Sequence, residues 1–200
     1  MAVPDALTLI ATMGRDADRI EFGTSVVPTW ARHPLMLAGQ ALTVQEAVGN
    51  RLALGVGLGH KNLIEPALKI EFRRLAQHMD EYLSVLAPAL QERRASFTGE
   101  IWSGEDALSG GAKAATPPPI RLAAMGPRML ALAGSRTDGV VLWLAGPKTV
   151  EQTILPPLAA AAEAAGRPAP RVVAGLPVCV TADADKVRSQ INHVLGRFTS

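Results

Sequence analysis

Short apolar runs alternate with longer helix-patterned stretches along this chain, and that alternation restricts the fold more than any other feature. The runs are "RIEFGTSVVP" (19–28), "RLALGVGLG" (51–59), "IRLAAM" (120–125), "DGVVLWLAG" (138–146) and "RVVAGLPVCVTA" (171–182). Between them, apolar residues recur every three or four positions, the spacing of a helix with one buried face. Asp5 is placed to cap "ALTLIATMGRDA", with Leu7, Ile10 and Ala11 on one stripe. "HPLMLAGQALTVQEAVG" carries Pro34 in its first turn and Gly49 past its end, with His33 fixing the entry. "FRRLAQHMDEYLSVLAPALQE" buries Phe72, Leu75, Met79, Tyr82, Leu86 and Leu90, and Pro88 is expected to kink or shorten its last turn. Strands separated by helices are the pattern of parallel βαβ units. Two α/β architectures fit, a doubly wound open sheet and a (β/α)8 barrel.

Three segments interrupt the pattern. "HKNLIEPALKI" (60–70) reads as an irregular surface connection. Residues 93–119 form an excursion with a small β element at "SFTGEIW" and a loop at "SGGAKAATPPP". The helix "PKTVEQTILPPLAAAAEAAG" is interrupted at Pro156-Pro157.

The second run places Gly55, Gly57 and Gly59 on one face and Leu54, Val56 and Leu58 on the other. Bare main chain at a strand end either makes room for a ligand or allows close packing by a neighbouring strand; both readings stand. A dinucleotide fingerprint is excluded, because the third glycine would fall on His60 or Asn62. The third run opens the next helix with Gly126 and Pro127, and free N–H groups there suit a phosphate. Arg128 is either a further contact to that anion or a solvated side chain. Trp143 and Gly146 stand near the end of the fourth run.

With 200 residues, 48% of them apolar, the chain has enough material for one sizeable core, so residues 1–200 are read as one domain. Its net charge of +2 comes from scattered basic residues and argues against nucleic acid as a partner. Cys179 stands alone in an apolar run and is expected to be a small buried hydrophobe in a reducing compartment. The N-terminal stretch has no basic n-region and no stretch is long enough to span a membrane, so a cytoplasmic protein is expected. His78 and His193 lie on helices without ligand-spaced partners and read as surface or packing residues; no metal site is indicated.

The segments "DALTLIATMGRDADRIEFGTSVVPTWARHPLMLAGQALTVQEAVGNRLALGVGLGH", "LAAMGPRMLALAG" and "TDGVVLWLAGP" together resemble the luciferase-like monooxygenase superfamily, in its branch of oxidoreductases that use the deazaflavin coenzyme F420. The pairing of "GTSVVPTWARHP" with "GNRLALGVGLGH" is the most specific mark. The resemblance implies a TIM-barrel fold, a (β/α)8 barrel with an insertion after the second strand's helix, where the 93–119 excursion falls. It implies that Ser25-Val26 is a bulged, often cis, peptide behind the deazaflavin ring. Gly57, Leu58, Gly59 and His60 would line the ring and its side chain, and Ala124, Met125 and Gly126 would hold the phosphate. The implied chemistry is hydride transfer between F420 and a small organic substrate; an FMN-dependent monooxygenase is the alternative within the superfamily.

Against that family the chain is short. Its first two strands and its eighth are expected to be absent, which makes it a fragment, a protein completed by a partner or by homodimer formation, or an inactive remnant or phosphate-ligand binding module. The acidic, aromatic and histidine positions that the family carries on its early strands have no counterpart, so no catalytic acid is named. The chain alone is expected to bind coenzyme weakly or not at all.

Overall fold

The computed structural model of the protein describes residues 4–107 and 112–195, with side chains through residue 191. The expected small-residue loop at 109–111, the His193 side chain and the last residues of the final helix lie outside the described residues.

Helix α1 (Ala6–Met13) starts as expected: the Asp5 carboxylate accepts the Thr8 N–H at 2.9 Å and the Thr8 hydroxyl at 2.8 Å. The first strand is present in two pieces, β1 (Phe22–Gly23) and β2 (Val27–Pro28), parted by residues 24–26 and a cis Ser25–Val26 peptide bond. Helix α2 (Pro34–Ala47) has His33 as its N-cap, with Nδ1 accepting the Leu35 N–H, so the expected role of His33 at the helix entry holds. Strand β3 (Leu52–Gly57) is buried along its whole length.

Helix α3 (Lys61–Leu68) corrects the expected irregular connection at 60–70. Pro66 removes one donor from the ladder, but Ile64 is 2% exposed and holds the helix against the glycine turn that precedes it. Helix α4 (Leu75–Gln91) runs three residues past Pro88. The excursion is an antiparallel hairpin, β4 (Arg94–Thr98) with β5 (Ser103–Ala107). Strand β6 (Ile120–Ala123), helix α5 (Pro127–Arg136) and strand β7 (Gly139–Trp143) follow.

The next helix opens as α6 (Pro147–Thr149) and widens to π geometry over Val150–Ile154. It continues as α7 (Leu155–Ala164). The widening lies just ahead of Pro156-Pro157, whose missing N–H groups leave carbonyls one turn upstream without their usual donors. Strand β8 (Arg171–Gly175) and helix α8 (Ala184–Leu195) close the described chain. The fifth run is shorter than expected. Beyond Gly175 its apolar residues face solvent, Val178 at 87% and Val180 at 101% exposure, and Cys179 is exposed rather than buried. Its backbone pairs with no strand among the described residues, so nothing draws those side chains inward.

All pairings in the main sheet are parallel, and strand order follows chain order: β1 and β2 on β3, then β6, β7 and β8. A doubly wound sheet reverses its order at a switch point; this one does not, and it is an arc of a (β/α)8 barrel. On its helical side Leu54, Val56, Leu122, Val140 and Leu142 meet Leu37, Met79, Leu83, Leu86, Leu130 and Leu158 in one core. Each such buried side chain stabilises the fold by about 1.5–3 kcal/mol. The hairpin packs on α4, so that helix is buried well beyond the single stripe the sequence predicts, including His78 and Glu81. No helix among the described residues is long and apolar enough to cross a membrane.

Candidate functional site

A cavity of about 440 Å³ opens at the C-terminal ends of β2, β3, β6 and β7. The structure brings seven of the nine predicted positions into its wall. Ser25 and Val26 come from the break between β1 and β2, Leu58, Gly59 and His60 follow β3, and Ala124 and Met125 follow β6. Pro28, Ala123, Val141, Leu142 and Trp143 complete the lining. Parallel sheets present their strand ends and following loops at one rim, which is why residues a hundred positions apart converge there.

Gly57 and Gly126 are not in that wall. A Cβ at Gly57 would stand 2.7 Å from Val26 Cγ2 and 2.8 Å from Ala123 Cβ; one at Gly55 would overlap the Thr24 carbonyl. The bare face of β3 is therefore filled by the neighbouring strand, and the close-packing reading holds at Gly55 and Gly57. These glycines let the 24–26 break sink into the sheet, and so bring Val26 to the cavity. Gly59 differs: its φ of +71° lies in the left-handed region, and it lines the cavity itself.

Gly126 caps α5, with no side chain bonded to the helix start and no atom within 4 Å of where a Cβ would lie. Free N–H groups and the positive end of the helix dipole face open space there, immediately after Ala124 and Met125. Arg128 in the first turn is exposed. Met125 and Trp143 are 47% and 44% exposed on the cavity wall, large apolar surfaces available to a ligand. Ser25 and His60 are its polar side chains. An apolar slot of this volume, with few polar groups and an adjoining helix start, suits a flat ring system carrying an anionic tail. The residues present fit a deazaflavin or flavin.

Two clusters outside the cavity wall escape the sequence reading. Arg121, two residues before Ala123 on the same face of β6, is in register with Gly55 and Gly139 and bonds Glu21 at 2.7 Å. Arg171 meets the same carboxylate at 3.2 Å. Burial opposes the Glu21 charge, but the two arginines outweigh it and hold its pKa below the usual range.

The second cluster joins α4 to the hairpin. Glu81 accepts the Ile101 and Trp102 N–H groups at 2.7 and 2.9 Å and the Gln77 amide at 2.7 Å. Burial disfavours its charge, yet those donors keep its pKa lowered. His78 is fully buried among Trp30, Tyr82 and Trp102, with the Trp30 ring centroid 3.9 Å away. Desolvation brings its pKa down to about 4, with the Glu81 carboxylate pulling the other way. Burial likewise raises the Tyr82 phenol, whose hydroxyl donates to the Arg32 carbonyl at 2.9 Å. A histidine on a helix signals none of this by spacing; the signal was Trp102, in a segment read only as a small β excursion.

No group of three or more His, Cys, Asp or Glu among the described residues is arranged to hold a metal ion. Residues 1–199 match the family of luciferase-like monooxygenases. The chain is 29% identical over 194 residues to an F420-dependent glucose-6-phosphate dehydrogenase of Nakamurella multipartita, covering 93% of this chain and 56% of that protein. Among solved structures it superposes on the coenzyme F420 dependent tetrahydromethanopterin reductase from Methanopyrus kandleri with a TM-score of 0.81. That match is 22% identical and covers 98% of this chain and 60% of that one. It also superposes on the oxygenating constituent of 3,6-diketocamphane monooxygenase of Pseudomonas putida, a structure in complex with FMN. There the TM-score is 0.73 at 19% identity, over 98% of this chain and 60% of that one. At those identities the two structures speak for the fold. The chain spans a little over half the length of each of these three proteins.

Proposed function

The chain belongs to the luciferase-like monooxygenase family, and from that premise we propose that it forms the coenzyme-binding part of an F420-dependent oxidoreductase. The observation that carries this reading is the convergence of Ser25–Val26, Leu58–His60 and Ala124–Met125 on one apolar slot beside the open start of α5. Bound there, F420 would supply a hydride donor or acceptor, and the protein would supply orientation and exclusion of water. Val26, Leu58 and Met125 would flank the ring. The Gly59 main chain would approach its edge, and the N–H groups after Gly126 would take the phosphate. His60 and Ser25 line the rim, and a polar side chain there would be the one to hold or pass a proton.

A fluorescence titration with F420, with FMN in parallel, tests this reading. F420 should bind in preference to FMN, weakly for the chain alone. Gly126→Asp should weaken F420 about tenfold through like-charge repulsion at the phosphate seat. The same change should leave the fold intact, because Asp is a favoured N-cap. Tighter binding of FMN than of F420 would favour the flavin monooxygenase reading, and an unaltered F420 affinity in Gly126→Asp would remove the phosphate seat.

A further inference from the structure

A directed hydrogen-bond chain runs from the insertion hairpin to the cavity rim. Trp102 Nε1 lies 3.3 Å from His78 Nδ1. An indole N–H can only donate, so Nδ1 accepts and the imidazole proton sits on Nε2. His78 Nε2 then donates to Thr29 Oγ1 at 2.8 Å. Because Nε2 donates, the hydroxyl's own proton is free for the Gly57 carbonyl at 3.4 Å, which also receives the Thr29 N–H at 3.0 Å. Thr29 and His78 are fully buried. Thr29 follows Pro28 and Gly57 precedes Leu58, and both of those neighbours line the cavity. At the hairpin end, Trp102 is itself held by its backbone N–H on Glu81.

We propose that Trp102 and His78 are positioning residues through which the hairpin sets the Pro28–Leu58 rim of the cavity. The indole N–H orients the imidazole, the imidazole orients the Thr29 hydroxyl, and the hydroxyl helps to fix the peptide that leads into Leu58. A hairpin remote from the cavity wall thereby influences what the wall accepts. The ligand consequence rests on the F420 reading; the chain of bonds does not.

The Leu58 amide shares a peptide unit with the Gly57 carbonyl, so its nitrogen resonance reports the bonds that carbonyl accepts. Trp102→Phe removes the N–H and keeps a ring; Thr29→Val removes the hydroxyl and keeps the shape. Each should move the Leu58 amide signal, and the double variant should move it no further than Thr29→Val alone. The His78 ring nitrogens should show a neutral imidazole with its proton on Nε2. F420 affinity should fall about threefold or more in Trp102→Phe. A Leu58 signal unmoved in Trp102→Phe, additive shifts in the double variant, or a proton on Nδ1 would each overturn the proposal. If F420 binds the unaltered chain too weakly to titrate, the Leu58 and His78 signals alone decide the coupling.

Discussion

Gly57, at the end of β3, and Gly126, at the start of α5, behave in opposite ways at the residue scale. Gly57 has Val26 and Ala123 where a side chain would be, so Gly57→Ala should destabilise the protein by about 1–3 kcal/mol through overpacking. Gly126 has open space, so Gly126→Ala should change stability by about 1 kcal/mol or less. Urea unfolding of the two variants checks the contrast; equal losses would contradict it. The row of glycines was visible in the sequence, but what filled the space was not. The occupant, Val26, lies on a strand break whose depth in the sheet only the tertiary structure sets. His78 makes a second residue-scale prediction. The unfolded chain protonates it near the usual 6.5 and the folded chain only near 4, so the unfolded state binds more protons between those values. Stability should therefore be fully present above about pH 6.5 and fall by on the order of 3 kcal/mol as the pH drops towards 4. His78→Gln should flatten that slope in unfolding curves measured from pH 7 to 5, a range above the titration of the lowered carboxylates Asp5, Glu21, Glu81 and Glu100.

Among the elements, the hairpin β4–β5 is tied at its turn to one side chain of α4. Glu81 holds the Ile101 and Trp102 N–H groups, and Glu81→Ala would leave both half-buried donors without their acceptor. A loss of about 2–3 kcal/mol is expected, with faster hydrogen exchange at those two amides than at β6 or β7. Uniform acceleration across the sheet would show instead that Glu81 supports the whole fold. The strands and most helices could be read from the chain because their caps and periodicities are local: Asp5, His33 and the Gly-Pro pair at 126–127 mark helix starts in the structure as they do in the sequence. Helix α3 and the exposed end of the fifth run were misread for a shared reason. Proline and apolar content do not report packing: Ile64 is buried against the Gly59 turn, and beyond Gly175 the chain pairs with no strand among the described residues.

For the whole molecule, sequential parallel order of the strands decides the architecture, and it places every strand end that bears a candidate residue on one rim. The likeness to family motifs located the rim residues. Arg121 and the Trp102–His78–Thr29 chain could not be found that way, because their partners come from separate elements and no fixed spacing joins them. Backbone and indole resonances followed during titration with F420 test the cavity as a coenzyme seat most directly, since weak binding is enough for the measurement. The largest shifts should fall on Ser25, Val26, Leu58–His60, Ala124–Gly126 and the Trp143 indole. Shifts confined to another face, or none at these residues up to the highest F420 concentration in solution, would contradict it.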